Sequence, residues 1–532
     1  MSGNATTHNR TVRVLAVDDD AFARRHLAIQ LSKLGHEVTA AGSVSEAQSI
    51  LIRERSSTFD CLVTDCFMPE QTGLDLLSWL WKHDYTLASI IVSGNSDEDL
   101  VVQALGGGAS AFIRKPVSLN DLEQALSKAI DSTHRRRRAA ATQVLVHDAG
   151  QLQRRMNNLY VADELPTVVT SFYHPKFEAG GDSVAFFPLE DERMLAVVAD
   201  VSGHDLKSAL LSAYFQGMLR GMVAQRVPIS AILEHFNSFL IHNWIEQDVG
   251  LTSSLLEITS LSVCSAMVDL KAGNVTLSSS GFPLPFRIDR DGLPWVCDAN
   301  CGYPLGWFDP NPVTSLTIDT QSGDHLVVWT DGLEDYANDL QISTWSLAYR
   351  LLAAGVSSQE FEWLARAQDD ILLVHIALSK SAKSPARIPV IAETYDGLHL
   401  RNIDDIQKGW RRSLAFAFPN LAIDILTDIL LCMREAVING LLHGCRAATD
   451  TCRLVVVFDI EKNRLRVDVT DPGPGHQFDV ETHAQAAEEL LCEHRGLLII
   501  HCLASEIHQE HNGASIRIFF NLAKESIGST HK

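Results

Sequence analysis

Acidic side chains with short, ordered spacings are the residues of this 532-residue chain best suited to chemistry. Asp18 and Asp19 stand together, and Asp65, Ser93 and Lys115 follow singly. A carboxylate that accepts a phosphoryl group needs a divalent cation to neutralise charge. We therefore predict that Asp18, Asp19 and Asp65 hold Mg²⁺, with Asp65 as nucleophile and phosphorylation site. Ser93 would donate a hydrogen bond to the new phosphoryl group, and Lys115 would pair with its charge.

A second set of acids lies between residues 180 and 370, at corners that mostly follow hydrophobic strands. Hydrolysis of a phosphoester by metal ions needs two cations close together and carboxylates that hold them. Any one Asp-Gly pair is usually a turn, but four acids at strand ends favour a metal site. These acids are Asp182, Asp200, Asp331 and Asp369.

A third set predicts a nucleotide site. Glu435 and Asn439 are four residues apart and share one face of a predicted helix. Asn439 could then bind Mg²⁺ on ATP while Glu435 acts as general base toward a hydroxyl. Asp471 ends a predicted strand and could accept a hydrogen bond from the adenine amino group. The glycines that would let the chain approach the nucleotide are Gly473, Gly475 and Gly496.

The elements that must position these residues change along the chain. Short apolar runs alternate with helical stretches up to about residue 131, which predicts a doubly wound parallel sheet with the acids at its carboxyl edge. β-rich runs with turn signals then predict an α/β sandwich, and a mixed sheet layered by helices follows, so the fold class is α/β multidomain. The predicted segments are a first domain at 11–131, a helical linker at 132–162, a second domain at 163–379, a linker at 380–389 and a third domain at 390–523.

Length and charge limit the function further. A chain of this length with 46% hydrophobic residues fits three domains, and apolar runs are too interrupted to span a membrane. A net charge of −22 argues against nucleic-acid binding, which needs Lys and Arg on the surface. The start lacks an apolar signal segment, so we expect a cytoplasmic protein. The ten cysteines form no Cys-x-x-Cys pair and are expected to be reduced thiols.

The helical linker leaves two interpretations open. Leu145, Ala149, Leu152, Met156 and Leu159 alternate at spacings of four and three, as in a short coiled coil. The protein would then be a homodimer through this linker. The same pattern also suits a helix packed on its own domain. The basic run 135–138 either contacts an acidic partner or faces water, and charge runs usually face water.

The motifs resemble three known families. Residues 11–131 resemble response-regulator receiver domains, which implies a histidine kinase or histidine phosphotransfer protein as donor and Phe112 as the switch aromatic. Residues 163–379 resemble the metal-dependent PPM serine/threonine phosphatases. By that resemblance Asp200 bridges two Mn²⁺ or Mg²⁺ ions and Val201 offers its carbonyl. Asp331 and Asp369 hold the first metal, and Asp182 acts through metal-bound water.

From about residue 389 the chain resembles GHKL ATPases, in particular the anti-sigma-factor serine kinases, with a short lid between Gly475 and His494. This order of domains resembles the three-domain regulators of bacterial partner switching. The resemblance implies that phosphorylation of the receiver sets the balance between a serine phosphatase and a serine kinase. Both would act on a STAS-fold antagonist of an anti-sigma factor, and so control a sigma factor.

Two other readings remain open at this point. The protein could be a receiver-gated binding module that sequesters the antagonist or a sigma factor with weak or no catalysis. Alternatively, it could be a phosphatase with broader phosphoprotein substrates whose ATP-site domain only senses nucleotide. Loss of metal binding at Asp200 would favour the first reading, and activity on unrelated phosphoserine proteins would favour the second.

Overall fold

The computed structural model describes residues 12–94, 98–157, 165–203, 206–245, 260–297, 301–353, 362–379, 386–447, 449–475, 495–511 and 514–522. The chain divides into two compact units, Met1–Asp148 and Ala149–Lys532. The first contains the predicted doubly wound domain, and the second contains the sandwich and the nucleotide-site domain.

The first unit is built on a parallel sheet with strand order β2-β1-β3-β4-β5 and apolar clusters on both faces, as predicted. Its strands are β1 (Arg13–Val17), β2 (Glu37–Ala41), β3 (Cys61–Asp65), β4 (Ser89–Ser93) and β5 (Ala111–Arg114). Its helices are α1 (Ala21–Lys33), α2 (Val44–Glu54), α3 (Gly73–His83), α4 (Glu98–Gly106) and the beginning of α5 (Leu119–Asn157). The side chains of Asp20, Ser43 and Thr72 accept hydrogen bonds from the first turns of α1, α2 and α3, which fixes where these helices begin.

The second unit begins with two antiparallel sheets whose apolar inner faces form one cluster, which is the predicted sandwich. Their strands are β6 (Val169–His174), β7 (Ser183–Leu189), β8 (Arg193–Val201), β9 (Leu261–Asp269), β10 (Asn274–Ser280), β11 (Phe286–Ile288), β12 (Pro294–Val296), β13 (Thr314–Asp319), β14 (His325–Trp329) and β15 (Ile371–Ala377). The helices are α6 (Leu206–Ala224), α7 (Ile229–Phe239), α8 (Asp331–Asp339) and α9 (Thr344–Ala353). The helices α6 and α7 cover the sheet β13-β10-β9-β8-β7, and α8 and α9 cover the sheet β12-β11-β14-β15-β6.

The last sheet has strand order β16-β17-β18-β20-β19 and is antiparallel. Its strands are β16 (Arg387–Tyr395), β17 (Cys452–Asp459), β18 (Arg464–Thr470), β19 (Glu506–Glu510) and β20 (Ser515–Asn521). The helices that pack on it are α10 (Ile403–Ala417), α11 (Ile423–Asn439) and α12 (Arg495–Leu503). Because β16 begins at Arg387, the last three residues of the predicted linker belong to the sheet, where Pro389 lies at a β-bulge.

Short 3₁₀ or π-helical turns complete the described elements. The 3₁₀ turns are Ser56–Thr58, Glu362–Arg366 and Gly397–Asn402, and the π-helical turns are Leu240–Ile245 and Gly440–Gly444. The second π-helical turn directly follows α11 and extends it to Gly444. Among the described helices, none combines the length and the apolar character that crossing a bilayer requires.

Within the second unit, the sandwich and the last sheet are packed together by a hairpin. The guanidinium of Arg453 lies 4.8 Å from the centre of the Trp295 ring. Arg466 donates a hydrogen bond of 2.7 Å to the carbonyl of Asp291. Residues 289–296 of the sandwich therefore cover the face of the last sheet that its own helices leave open.

Helix α9 of the sandwich contributes to the core of the third domain as well. Tyr349 is buried there, with ring centres 5.2 Å from Phe418 and 5.9 Å from Phe458. The hydroxyl of Ser346 donates to the carbonyl of Val390, at 2.7 Å. These buried contacts join the two domains through a shared apolar core rather than through a surface contact alone.

Candidate functional site

The first group of predicted residues meets at the carboxyl edge of the parallel sheet. Asp18, Asp19 and Asp65 each offer a carboxylate oxygen, and these oxygens lie within 4.8 Å of one another. Lys115 Nζ lies 2.9 Å from Asp18 Oδ2 and 2.8 Å from Asp65 Oδ1. Ser93 is buried at the end of β4, and its carbonyl accepts a hydrogen bond from the Lys115 amide. The structure thus brings all five residues to one pocket.

The electrostatics of this pocket fit a divalent cation. Burial raises the pKa of Asp65, and the charge of Asp18 raises it further, against the effect of Lys115. Three carboxylates this close form a donor set of the kind that Mg²⁺ prefers. Asp20, the third acid in the run, instead caps α1 by accepting from the amides of Phe22 and Ala23.

The predicted switch aromatic, Phe112, lies on β5 beside this pocket. It is partly buried against a small apolar cluster that includes Cys66, Ile91 and Ala104. Its neighbour in register on β4 is Ile91, two residues before Ser93. The aromatic side chain is therefore connected by packing to the strands that carry Asp65 and Ser93.

The second group of acids meets where the two sheets of the sandwich end. Asp200 is next to last in β8, Asp331 begins α8, and Asp369 precedes β15. Asp182 precedes β7 and is buried, and its Oδ2 accepts a hydrogen bond of 2.6 Å from Thr330 Oγ1. Val201 is buried beside Gly181, and a Cβ at Gly181 would lie against the Val201 carbonyl. All five predicted metal-site residues therefore belong to one region.

Burial, and after it mutual repulsion, determines the electrostatics of these carboxylates. Burial, followed by the charges of Asp331 and Asp369, raises the pKa of Asp200 to about 7. Burial and the charge of Asp200 raise the pKa of Asp182 well above its usual range. Burial and the charge of Asp369 also raise the pKa of Asp331. A buried cluster of like charges becomes favourable when cations bind it, so these carboxylates are suited to binding divalent cations.

Asp370 contacts the turn that carries Asp182, and sequence reasoning did not assign it to the site. Its Oδ2 accepts a hydrogen bond of 2.6 Å from the Gly181 amide, and its Oδ1 accepts one of 2.8 Å from the Lys176 amide. It therefore ties the turn that carries Asp182 to the end of the opposite sheet. The adjacent acids Asp369 and Asp370 were the sequence signal for this second role. Side chains of adjacent residues next to a strand point in different directions, so the two acids can contact different groups.

The third group meets between α11, β18 and α12. Glu435 and Asn439 lie on the last turns of α11. A Cβ at Gly496 would lie 2.5 Å from Glu435 Oε2 and 3.5 Å from Asn439 Nδ2, so the start of α12 faces both side chains. Asp471 follows β18, and burial raises its pKa. Gly475 has a φ of 71°, a conformation that glycine adopts at little cost.

Glycines form a cradle around Asp471. The Gly473 amide donates to Asp471 Oδ1, at 2.9 Å. A Cβ at Gly444 would overlap Asp471 Oδ1, and one at Gly440 would lie 2.7 Å from Cys452 Sγ. These glycines therefore let the backbone pack directly against the Asp471 carboxylate, where any side chain would displace it. Sequence patterns did not indicate Gly440 and Gly444, because the π-helical turn that carries them does not follow the α-helical period.

Some predicted features lie outside the described residues. These are Leu159 at the end of the heptad pattern and the lid between Gly475 and His494. In the described part of the heptad pattern, Leu145 and Leu152 are exposed and Ala149 is half-buried.

Comparison with known families assigns each region independently. Residues 14–127 match the response regulator receiver domain, residues 190–376 match stage II sporulation protein E, and residues 400–520 match the histidine kinase-like ATPase domain. The three matches follow the order of the three predicted sites. They confirm the multidomain α/β fold class and the order of domains that the motifs predicted.

Similar proteins and structures cover different parts of the chain. The chemotaxis protein CheY of Thermotoga maritima is 33% identical over 116 residues, which are 22% of this chain and 95% of that protein. The response regulator protein PilR of Pseudomonas aeruginosa is 34% identical over 119 residues, which are 22% of this chain and 26% of PilR. The chain thus spans about a quarter of PilR, in contrast to nearly all of CheY.

Among solved structures, the RsbU and RsbW domains of Rv1364c from Mycobacterium tuberculosis are 20% identical, with a TM-score of 0.31, over 67% of this chain and 93% of that one. A receiver domain from Clostridium thermocellum is 32% identical, with a TM-score of 0.22, over 23% of this chain and 94% of that one. The chain belongs to the response regulators, and its receiver domain is followed by a SpoIIE-type phosphatase domain and a histidine kinase-like ATPase domain.

Proposed function

We propose that this protein is a cytoplasmic phosphorylation switch in which the receiver controls a serine phosphatase and a serine kinase of opposite effect. The substrate of both would be a STAS-fold antagonist of an anti-sigma factor. A histidine kinase or histidine phosphotransfer protein would phosphorylate Asp65. The observation that carries the proposal is the complete carboxylate cluster of Asp182, Asp200, Asp331 and Asp369, because a pure binding module has no need for buried, mutually repelling acids.

The phosphatase step is supported by what these side chains can do. Divalent cations held by the cluster would polarise the phosphoester and activate water for attack. Burial and the neighbouring acids raise the pKa of Asp200 to about 7, so cations bound beside it would favour its ionised form. Thr330 holds Asp182 at 2.6 Å, which keeps its carboxylate turned toward the cluster. The protein would therefore fix the positions of the carboxylates, so that they can bind the cations that act on phosphoserine.

The kinase step would use the third group. Glu435 would accept the proton of a serine hydroxyl, and Asn439 would contribute an amide oxygen to Mg²⁺ on ATP. Asp471 would accept a hydrogen bond from the adenine amino group, and its own oxygen is fixed by the Gly473 amide. The close approach of Gly496 to Glu435 would bring the phosphate-binding start of α12 to the base.

The test is phosphate release from a serine-phosphorylated STAS protein with Mn²⁺ present. Asp200→Asn should abolish release, whereas Asp319→Asn, an exposed acid at the end of β13, should retain it. Equal release by both variants would overturn the phosphatase assignment. In the reverse direction, Asn439→Ala should eliminate transfer from ATP, and the exposed Asn402→Ala should not. Unchanged transfer in Asn439→Ala would place the kinase site elsewhere.

A further inference from the structure

The last two turns of α5 make polar contacts that neither the families nor the metal site explains. Gln153 lies there and is only 5% exposed. Its Nε2 donates to the Gly180 carbonyl, at 2.5 Å, and its Oε1 accepts from the Gly180 amide, at 3.0 Å. One side-chain amide thus satisfies both backbone groups of a residue two positions before Asp182, as a neighbouring strand would.

Asn157 acts in a similar way one turn later. It is 2% exposed, and its Oδ1 accepts from the Val184 amide, at 3.3 Å, and from Gln216 Nε2, at 2.7 Å. Val184 follows Asp182 by two residues, so the amides of Gln153 and Asn157 hold the chain on both sides of Asp182. Gln216 lies on α6, the helix that begins six residues after Asp200.

The turn that carries Asp182 depends on such contacts. Residues 175–182 belong to no strand or helix, so their backbone has no ladder of hydrogen bonds to hold it. On the other side, Asp370 accepts from the Gly181 amide, at 2.6 Å. A Cβ at Gly150 of α5 would overlap the Glu178 carbonyl, which shows how closely the helix lies against this turn. Because the backbone of this turn is hydrogen-bonded on both sides, the Asp182 side chain is held in one orientation.

We propose that Gln153 and Asn157 are positioning residues of the phosphatase, here called the amide clamp. The clamp holds the turn 180–184 so that the Asp182 carboxylate faces Asp200, and the metal site is complete only with the last two turns of α5. This inference rests on the proposed phosphatase function. Because α5 begins at Leu119, the clamp is on the same continuous helix that leaves the receiver.

Loss of the amide clamp should lower the metal affinity of the site rather than prevent folding. Partners that orient a metal ligand typically change metal affinity or activity by about 10- to 100-fold when they are removed. Gln153→Ala should therefore weaken Mn²⁺ binding by at least about tenfold. Phosphatase kcat should return toward the wild-type value at saturating Mn²⁺, because the metal ligands themselves are unchanged.

The experiment is Mn²⁺ titration of the full chain by calorimetry and by electron paramagnetic resonance. An Asp18→Asn background removes the receiver cation from the signal. The matched control is Gln143→Ala, an exposed glutamine on the same helix. Weaker Mn²⁺ binding in Gln153→Ala, with Gln143→Ala unchanged, is the expected result. Mn²⁺ affinity within twofold of the parent, with a lowered melting temperature, would overturn the clamp and leave Gln153 a packing residue.

A milder variant keeps the test informative if Gln153→Ala does not fold. Gln153→Met fills nearly the same volume without a buried charge but loses both hydrogen bonds to Gly180, so its Mn²⁺ affinity should fall below that of the parent. Parental affinity in this variant would also contradict the clamp. Mn²⁺ binding without any phosphatase turnover in the parent would refute the proposed function instead, and the two failures are therefore distinguishable.

Discussion

A pair of buried histidines should make the stability of the phosphatase domain depend on pH in a way that can be calculated. His375 on β15 and His325 on β14 are both buried, with Nε2 of the first 3.0 Å from Nδ1 of the second. Burial, and then the neighbouring His325, lowers the pKa of His375 from its usual 6.5 to about 3. Burial lowers the pKa of His325 as well. The folded domain therefore keeps both rings neutral where the unfolded chain binds protons.

The direction of the pH dependence follows from this difference in pKa between the folded and unfolded states. Because the pKa is lower in the folded state, the full stability is present above pH 6.5 and is lost progressively as the pH falls toward 3. Each pH unit below 6.5 should cost about 1.4 kcal/mol for His375. At pH 5.0 the loss is about 2 kcal/mol, roughly a 30-fold change in the unfolding equilibrium. His325 acts in the same direction.

The assay is hydrogen exchange of peptides from β14 and β15 between pH 7.5 and 5.0, corrected for the intrinsic pH dependence of exchange. His375→Gln removes the titrating group while it keeps a hydrogen-bonding side chain, and His235→Gln is the control at an exposed histidine on α7. The carboxylates with raised pKa act in the opposite direction, so the measured quantity is the difference between parent and variant. Equal pH dependence of the opening free energy in the parent and in His375→Gln would refute the reasoning.

Three further predictions concern the other sites. Gly444→Ala should weaken ATP binding at least about tenfold by calorimetry, about 1.4 kcal/mol, because its Cβ would overlap Asp471 Oδ1. The control is Gly409→Ala, whose Cβ meets nothing within 4 Å and which should bind ATP normally. Equal ATP affinities of the two variants would contradict an adenine site beside Asp471. Asp65→Ala should keep phosphatase turnover but lose its response to the phosphodonor, and a retained response would exclude Asp65 as acceptor. Tyr349→Ala should destabilise the second unit by about 3–5 kcal/mol in urea unfolding, and Tyr349→Phe by much less; no loss in the alanine variant would argue against the shared core.

Sequence patterns predicted which side chains lie close together where the residues follow buried strands. Asp18, Asp65 and Lys115 each end or follow a strand of the parallel sheet, and parallel strands bring their carboxyl ends to one edge by topology alone. Glu435 and Asn439 share a helix face for an equally local reason. In such cases the spacing along the chain determines the spacing in the structure.

The residues that sequence reasoning missed act across long distances in the chain. Asp370 bonds to Gly181, 189 residues away, and Gln153 bonds to Gly180, 27 residues away. Neither contact produces a periodic pattern in the sequence. A single polar residue near the end of a helix or strand looks, in the sequence, like any polar residue on the surface. The heptad pattern drew attention to Leu152, which is exposed, although the buried neighbour is the polar Gln153. Apolar periodicity cannot detect a helix face that packs through amides.

In the proposed switch, the phosphorylation state of Asp65 controls the phosphatase. The most direct test of this control is the rate of phosphate loss from a serine-phosphorylated STAS protein with Mn²⁺, measured on the free protein and on protein that carries a beryllofluoride mimic at Asp65. Receiver control predicts faster release with the mimic, and no difference between the two conditions in an Asp65→Ala variant. The same rate with and without the mimic in the parent protein would contradict receiver control.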